Sequence, residues 1–289
     1  MNISSLQKDN DKNRQSIMTQ MAFTLVLMLV TAISTVECMK VNKTPHIYGD
    51  KVPQRMISTK LKRVQRRIVM LHDYFRTKVL PPASNMLSMH WHKGAARAAQ
   101  KWADQCRFLI HDPIESRAVK HFPSCGQNIF VSSHKVHWLF ALQSWYVERD
   151  HFVYGSKYNN ATVVGHYTQM VWAATHKVGC GIAKCSGRYS PRGKPFYNYV
   201  CNYCPTGNFE DTLGTPYISG QPCSSCPNSC RSDKIRLCTN SCNAADQLSN
   251  CKELHRDWST WLCHTRTTEG LKRRKSCMAT CSCRGKIYD

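Results

Sequence analysis

The residues best suited to chemistry are the cysteines, seventeen of them in a chain of 289. Cys201-x2-Cys204 and Cys223-x2-Cys226 stand eighteen residues apart, a spacing that suits four thiolates around tetrahedral zinc. The same thiols in an oxidising compartment would close into disulfides, so the choice turns on where the chain goes. His90 and His92 flank Trp91 at strand spacing, which would point both imidazoles the same way, toward a metal or glycan contact or simply toward solvent. Glu148 and His166 are the residue types of an acid–base pair. No Gly-x-Ser-x-Gly elbow, phosphate-cradling loop or recognisable nucleophile accompanies them, so no catalytic residues are assigned and no enzyme is expected.

The amino terminus decides the compartment. An apolar run from Met21 to Ile33 follows Lys8, Lys12 and Arg14, and small residues (Ala32 near its end, then Ser34 and Thr35) close it. That is the order of a secretory signal, and the run is too short to span a bilayer. The polar stretch before Met18 and Met21 is long, so residues 1–38 read as a signal peptide with an amino-terminal extension. Cleavage after Cys38 would leave sixteen cysteines, the even number a closed disulfide framework requires. The chain is expected to be secreted, and disulfides are favoured over zinc.

Charge narrows the partners. Forty Lys and Arg against eighteen Asp and Glu give a formal charge of +22. Outside the cell this favours anionic glycans or a membrane surface, and nucleic acid drops out.

The elements must then place these residues. Leu61, Val64, Ile68, Leu71 and Phe75 recur at spacings of three and four and predict an amphipathic helix ended by Pro81 and Pro82. Further helices are expected over 95–109 and 136–148. Val164, His166, Thr168, Met170 and Trp172 alternate and suggest a strand, as does the aromatic and β-branched run 197–203. Helices first and strands later suggest an α+β domain with an antiparallel sheet. Six cysteines fall in this region and ten crowd the end of the chain. Between them residues 206–221, with three glycines and a proline, read as a linker. The tail is too small for a core of its own and must be held by disulfides.

Gly165-His-Tyr-Thr-Gln-Met-Val-Trp172 with Gly179-Cys-Gly181, and Tyr199-Val-Cys-Asn-Tyr-Cys-Pro-Thr-Gly-Asn208, resemble the two signatures of the CAP superfamily. Pro82-Ala-Ser-Asn-Met-Leu87, Ala103-Asp-Gln-Cys106 and Cys125-Gly-Gln-Asn128 support the match. Pro222-Cys-Ser-Ser-Cys-Pro-Asn-Ser-Cys230 opens a tail similar to the hinge and ion-channel-regulator module of cysteine-rich secretory proteins, closest to mammalian reproductive-tract members. The resemblance implies an α-β-α sandwich over 39–205, the linker, a hinge over 222–241, and a mostly helical ShK-like module over 242–289. It implies the pairs Cys106–Cys185, Cys125–Cys204, Cys180–Cys201, Cys223–Cys230, Cys226–Cys238, Cys242–Cys283, Cys251–Cys277 and Cys263–Cys281.

The family often holds a divalent metal between two histidines and two carboxylates. The matching positions here are His111, Gln127, Glu148 and His166. Gln127 replaces a carboxylate, and His111 lies one residue further from Cys106 than is usual, which would rotate a helical side chain by about 100°. No cofactor is therefore required, and zinc binding is expected to be weak at most. Asn42 and Asn160 begin glycosylation sequons. The family's activities imply a non-catalytic partner for cell-surface ion channels or receptors, acting in sperm maturation and fertilisation. The binding surface would be Lys252, Arg256, Trp258, Trp261, Lys272, Arg273, Arg274 and Lys275. A venom-type channel blocker, a sterol carrier and a basic glycan-binding host-defence protein are the alternatives, discriminated by target current, sterol retention and salt sensitivity.

Overall fold

The computed structural model describes residues 47–288. The expected signal peptide and Asn42 lie outside the described residues. Helix α1, Lys62–Arg76, buries Val64, Ile68 and Phe75 on one stripe, as the apolar spacing requires. After it come strand β1 (His90–Trp91), helix α2 (Lys93–Asp104), strand β2 (Gly126–Ser132), helix α3 (Trp138–Tyr146) and helix α4 (Ala161–Met170). Strands β3 (Lys177–Cys185) and β4 (Phe196–Cys204) complete the domain. Helices and strands therefore interleave, and the expected order of helices before strands is not what forms.

The sheet runs β1-β3-β4-β2, antiparallel except for the parallel β1–β3 pair. Alternate residues of β4 serve opposite layers, as the pleat demands. Tyr199, Cys201 and Tyr203 face the main core, built with α1, α3 and α4. Val200 faces Ala99, Trp102 and Ala103 of α2. This is an α-β-α sandwich. Gly179 and Gly181 let α2 lie against β3: a Cβ on either would come within 2.4 Å of helix backbone.

Three expected elements need correction. The segment read as a strand from Val164 is α4, in which Val164, Tyr167, Thr168 and Met170 are buried at helical spacing. Asn160 caps this helix, its side chain accepting from the Thr162 amide. Helix α2 stops at Asp104, well short of residue 109, because Cys106 and Leu109 adopt positive φ. Residues 206–221 are no free spacer either. Tyr217 is buried in the main core, and the Ile218 and Pro216 carbonyls accept from the amides of Ser84 and Ala173, each at 2.8 Å.

Eight disulfides close: Cys106–Cys185, Cys125–Cys204, Cys180–Cys201, Cys223–Cys230, Cys226–Cys238, Cys242–Cys283, Cys251–Cys277 and Cys263–Cys281. Cys201 and Cys204 are thus bonded to partners within the domain, and the alternative of a shared four-cysteine zinc site is gone. The hinge is fastened to the domain by bonds from the Cys238 amide to Met86 and from the Ser88 amide to Cys238, and by the Arg231–Asp73 ion pair at 2.7 Å. The tail is helical, with α5 (Cys251–Cys263), α6 (Thr268–Ser276) and α7 (Met278–Ser282). No helix among the described residues is long and apolar enough to cross a membrane.

Candidate functional site

Two regions merit a functional reading: the cleft of the sandwich, and the exposed aromatic face of the tail. In the cleft, the turn after α3 carries Glu148 and α4 carries His166. The His166 Nδ1 lies 2.6 Å from Glu148 Oε1. The backbone amides of His166 and Tyr167 donate to Glu148 Oε2 at 2.9 and 3.1 Å. Both carboxylate oxygens are therefore spent on α4, and they hold the His166 ring by its Nδ1. The ring of Trp145 stacks beside it, 6.2 Å away between centroids.

Across the cleft, Gln127 on β2 is engaged at both ends. Its Oε1 lies 2.9 Å from His111 Nδ1 and accepts from the Asp112 amide at 3.0 Å, while its Nε2 donates to Asn202 at 3.0 Å. His111 sits in the loop after α2. The helical rotation expected to carry it away does not apply there, and it stays in the cleft. Burial, with the charges of Arg117 and His166, holds its pKa below the ordinary imidazole value despite the bond to Gln127. Burial likewise raises the Asp112 carboxyl and lowers the Arg117 guanidinium.

The structure thus brings His111, Gln127, Glu148 and His166 together, but not as a ready cation cage. Glu148 and Gln127 use their oxygens internally, and Arg117 adds a positive charge beside His111. Among the described residues, the one group of three His, Cys, Asp or Glu side chains with ligand atoms within 4.8 Å of one another is Cys223, Cys226 and Cys238. Those sulfurs are all in disulfides. The donor set does not fit tight zinc binding.

Sequence reasoning missed the residues that brace this cleft. Asn128 donates to the His166 carbonyl at 3.0 Å and Asn208 to the Gly165 carbonyl at 2.7 Å. Asn208 lies in the second signature segment and Asn128 in a supporting one, so both asparagines could have been read as positioning residues. Arg117 left no signal. His92, read with His90 as a surface pair, instead caps α2, its Nδ1 accepting from the Ala95 amide at 3.1 Å.

In the tail, Trp258 and Trp261 on α5 are 60% and 46% exposed. The helix breaks at Trp258, whose φ of −142° and ψ of 51° are not helical. The eight residues expected to form one binding surface divide. Arg273 lies over the Trp261 ring at 4.0 Å, and Arg274 and Lys275 are exposed, with no acidic partner among the described residues. Arg256 pairs with Asp257 at 2.9 Å and Lys272 with Glu269 at 2.9 Å, which offsets their charge. Lys252 lies over the Tyr288 ring and lines a cavity of about 690 Å³ shared with Trp172 and Phe209 of the domain side.

A sandwich with this cleft, joined to a hinge and tail holding five bridges, is what known proteins match. Residues 69–203 match the family described as "CAP: Cysteine-rich secretory protein family", and residues 223–288 match "Crisp". The chain belongs to the cysteine-rich secretory protein family. It is 43% identical over 93% of its length to human "Cysteine-rich secretory protein 2", all of which it covers. The mouse protein "Cysteine-rich secretory protein 1" is 43% identical over 80% of this chain and 88% of its own. Human "Cysteine-rich secretory protein 3" is 43% identical over 78% of this chain and 85% of its own. Among solved structures, "Crystal Structure of Na-ASP-1" matches 68% of this chain and 52% of its own at 25% identity, with a TM-score of 0.50. No cofactor is indicated by the family.

Proposed function

We propose that this member of the family is a secreted, non-catalytic binding protein, and that its tail engages a cell-surface ion channel or receptor. The observation that carries the reading is the exposed pair Trp258 and Trp261, with Arg273 over Trp261, in a tail tied by three disulfides. Two large exposed aromatics backed by a cation form the usual centre of a binding hot spot, and a cross-linked scaffold loses little further entropy on docking. The mammalian relatives at 43% identity are secretory proteins by name, which supports export, while the reproductive setting, with the protein acting on sperm, rests on the resemblance of the sequence motifs alone. The cleft is in keeping with this: Glu148 and His166 bond to each other, so it serves as a braced pocket with zinc affinity no better than weak.

Whole-cell recording from sperm with purified full-length protein tests the tail. Calcium or potassium current should change, and a Trp258→Ala/Trp261→Ala variant should lose at least about tenfold in potency. Unchanged current with the parent protein, or equal potency in the variant, would refute it. Titration calorimetry showing submicromolar zinc affinity abolished by His166→Ala would overturn the reading of the cleft.

A further inference from the structure

Residues 51–72 contain no Asp or Glu at all. Arg55, Lys60, Lys62, Arg63, Arg66 and Arg67 fall in this stretch, and every one of them is exposed. None has an acidic partner among the described residues, where the ion pairs lie elsewhere. The backbone ties the cluster together, since Arg63 donates to the Arg55 carbonyl at 3.2 Å.

The placement runs against local helix physics. Four of the cations occupy the first six residues of α1, where the helix dipole disfavours positive charge, and the first turn holds no acid. Leu61 at the cap position supplies no side-chain bond to the free amides. Lys62–Arg66 and Arg63–Arg67 are like-charge pairs one turn apart. A sequence that breaks three local rules at one spot, with no internal compensation, is where function is to be sought.

Beside this end of α1 lies a groove of about 630 Å³. Lys62 and Arg66 form one wall, and Gln65, Ser88, Thr239 and Trp91 also line it. Asp73, the acid on that wall, is already answered by Arg231 at 2.7 Å and by the Met89 amide at 2.7 Å, so it leaves no free negative charge to repel an anion. Hydroxyl and amide side chains beside an aromatic ring suit sugar hydroxyls and ring faces, and the two cations suit sulfate.

We infer that the amino-terminal half of α1 and its adjoining groove dock a sulfated glycan chain, at a site separate from the tail. At 100° per residue the four helix cations span an arc of about 140°, from the groove to the far side of α1. A flat bilayer meets only part of such an arc at once. A flexible chain can lie in the groove and cross the helix.

The test uses the full-length secreted protein on immobilised heparin, with fully desulfated heparin as control and phosphatidylserine-containing vesicles as the competing surface. The Lys62→Ser/Arg63→Ser/Arg66→Ser/Arg67→Ser variant should lose about tenfold or more in heparin affinity. Removing four tail cations (Lys272→Ser, Arg274→Ser, Lys275→Ser, Arg284→Ser) should change it less than about threefold, which separates site from net charge. The parent's affinity should fall steeply with added salt. Arg66→Gln alone, a milder change, should lose about twofold to threefold if the quadruple variant does not fold. Equal losses in the helix and tail variants, no loss in the helix variants, binding to desulfated heparin, or a preference for the vesicles would each overturn the assignment. Channel currents give a separate readout: where the parent protein changes them, the helix variant should change them equally, and the heparin result stands or falls independently of the tail's own test.

Discussion

Arg76 is 1% exposed and spends all five of its guanidinium hydrogens on backbone carbonyls. Nε donates to Leu87 at 2.9 Å, Nη1 to Met170 and Trp172 at 2.9 Å, and Nη2 to Ala173 and Thr175 at 3.0 Å. These acceptors lie at the end of α4 and on the segments entering β1 and β3, the two strands that pair in parallel. Burial draws the pKa down to about 10, partly offset by Asp73, so the group stays charged at neutral pH. Arg76→Met fills similar space and removes every donor. Each orphaned buried carbonyl costs about 1–3 kcal/mol, and even with strong non-additivity the sum should exceed about 4 kcal/mol. A domain typically has about 5–15 kcal/mol in total, so the variant should unfold or be secreted poorly. Arg76→Lys retains three donors and should lose about half as much. Urea unfolding without reductant, followed by tryptophan fluorescence, measures both. Stability within about 1 kcal/mol of the parent for Arg76→Met would refute the clamp.

Three further outcomes follow from single features. His72 is buried between the Ile68 carbonyl and the Tyr203 hydroxyl, and burial pulls its pKa down to about 4, so the native state keeps it neutral while the unfolded chain protonates near pH 6.5. Stability should be full above pH 6.5 and decline by about 3 kcal/mol on acidification to pH 4, with His176, held near 3 mainly by burial, adding in the same direction; a His72→Gln variant with an unchanged slope would refute this. Cys251→Ser/Cys277→Ser opens a bridge with a sequence separation of 26, worth about 3.5 kcal/mol of loop entropy, and limited proteolysis should cut the tail first; cleavage in the sandwich first would contradict it. Asn160 is exposed and uses only its oxygen in capping α4, so its amide nitrogen is free to carry a glycan; loss of the N-glycosidase mass shift in Thr162→Ala would confirm occupancy, and an unchanged shift would rule it out.

How much was legible differs by element. Helix α1 follows from periodicity because it buries one apolar stripe, and strand β4 from its aromatic and β-branched composition, since a strand buried on both faces shows no alternation. Helix α4 was misread because Val164, His166, Thr168, Met170 and Trp172 alternate by accident, while the residues that pack at helical spacing include Tyr167. Asn160 was taken only as a sequon, though the same asparagine is the helix cap that would have arbitrated. The packing of Tyr217 under Tyr154 was invisible, since glycine and proline mark turns without saying what the turns rest on. In the cleft, the residue types were readable and their engagement was not. That Gln127 spends both ends of its amide within the protein depends on the register placing it opposite Asn202.

Helix α1 shows how the two proposed surfaces depend on the same anchoring. Alone, a fifteen-residue helix with no cap and four cations against its dipole would be marginal at best. Its carboxyl-terminal half supplies what is missing: His72 bonded to Tyr203, Asp73 to the Met89 amide and Arg231, Phe75 stacked on Tyr146 at 4.5 Å, and Arg76 in its cage. Asp73 is the joint, because its second oxygen reaches into the hinge that leads to the tail. The bonds that hold the frayable end of α1 in place also fix where the tail departs, so losing Asp73 should disturb both surfaces, whereas losing the exposed cations should relax α1 and disturb only one.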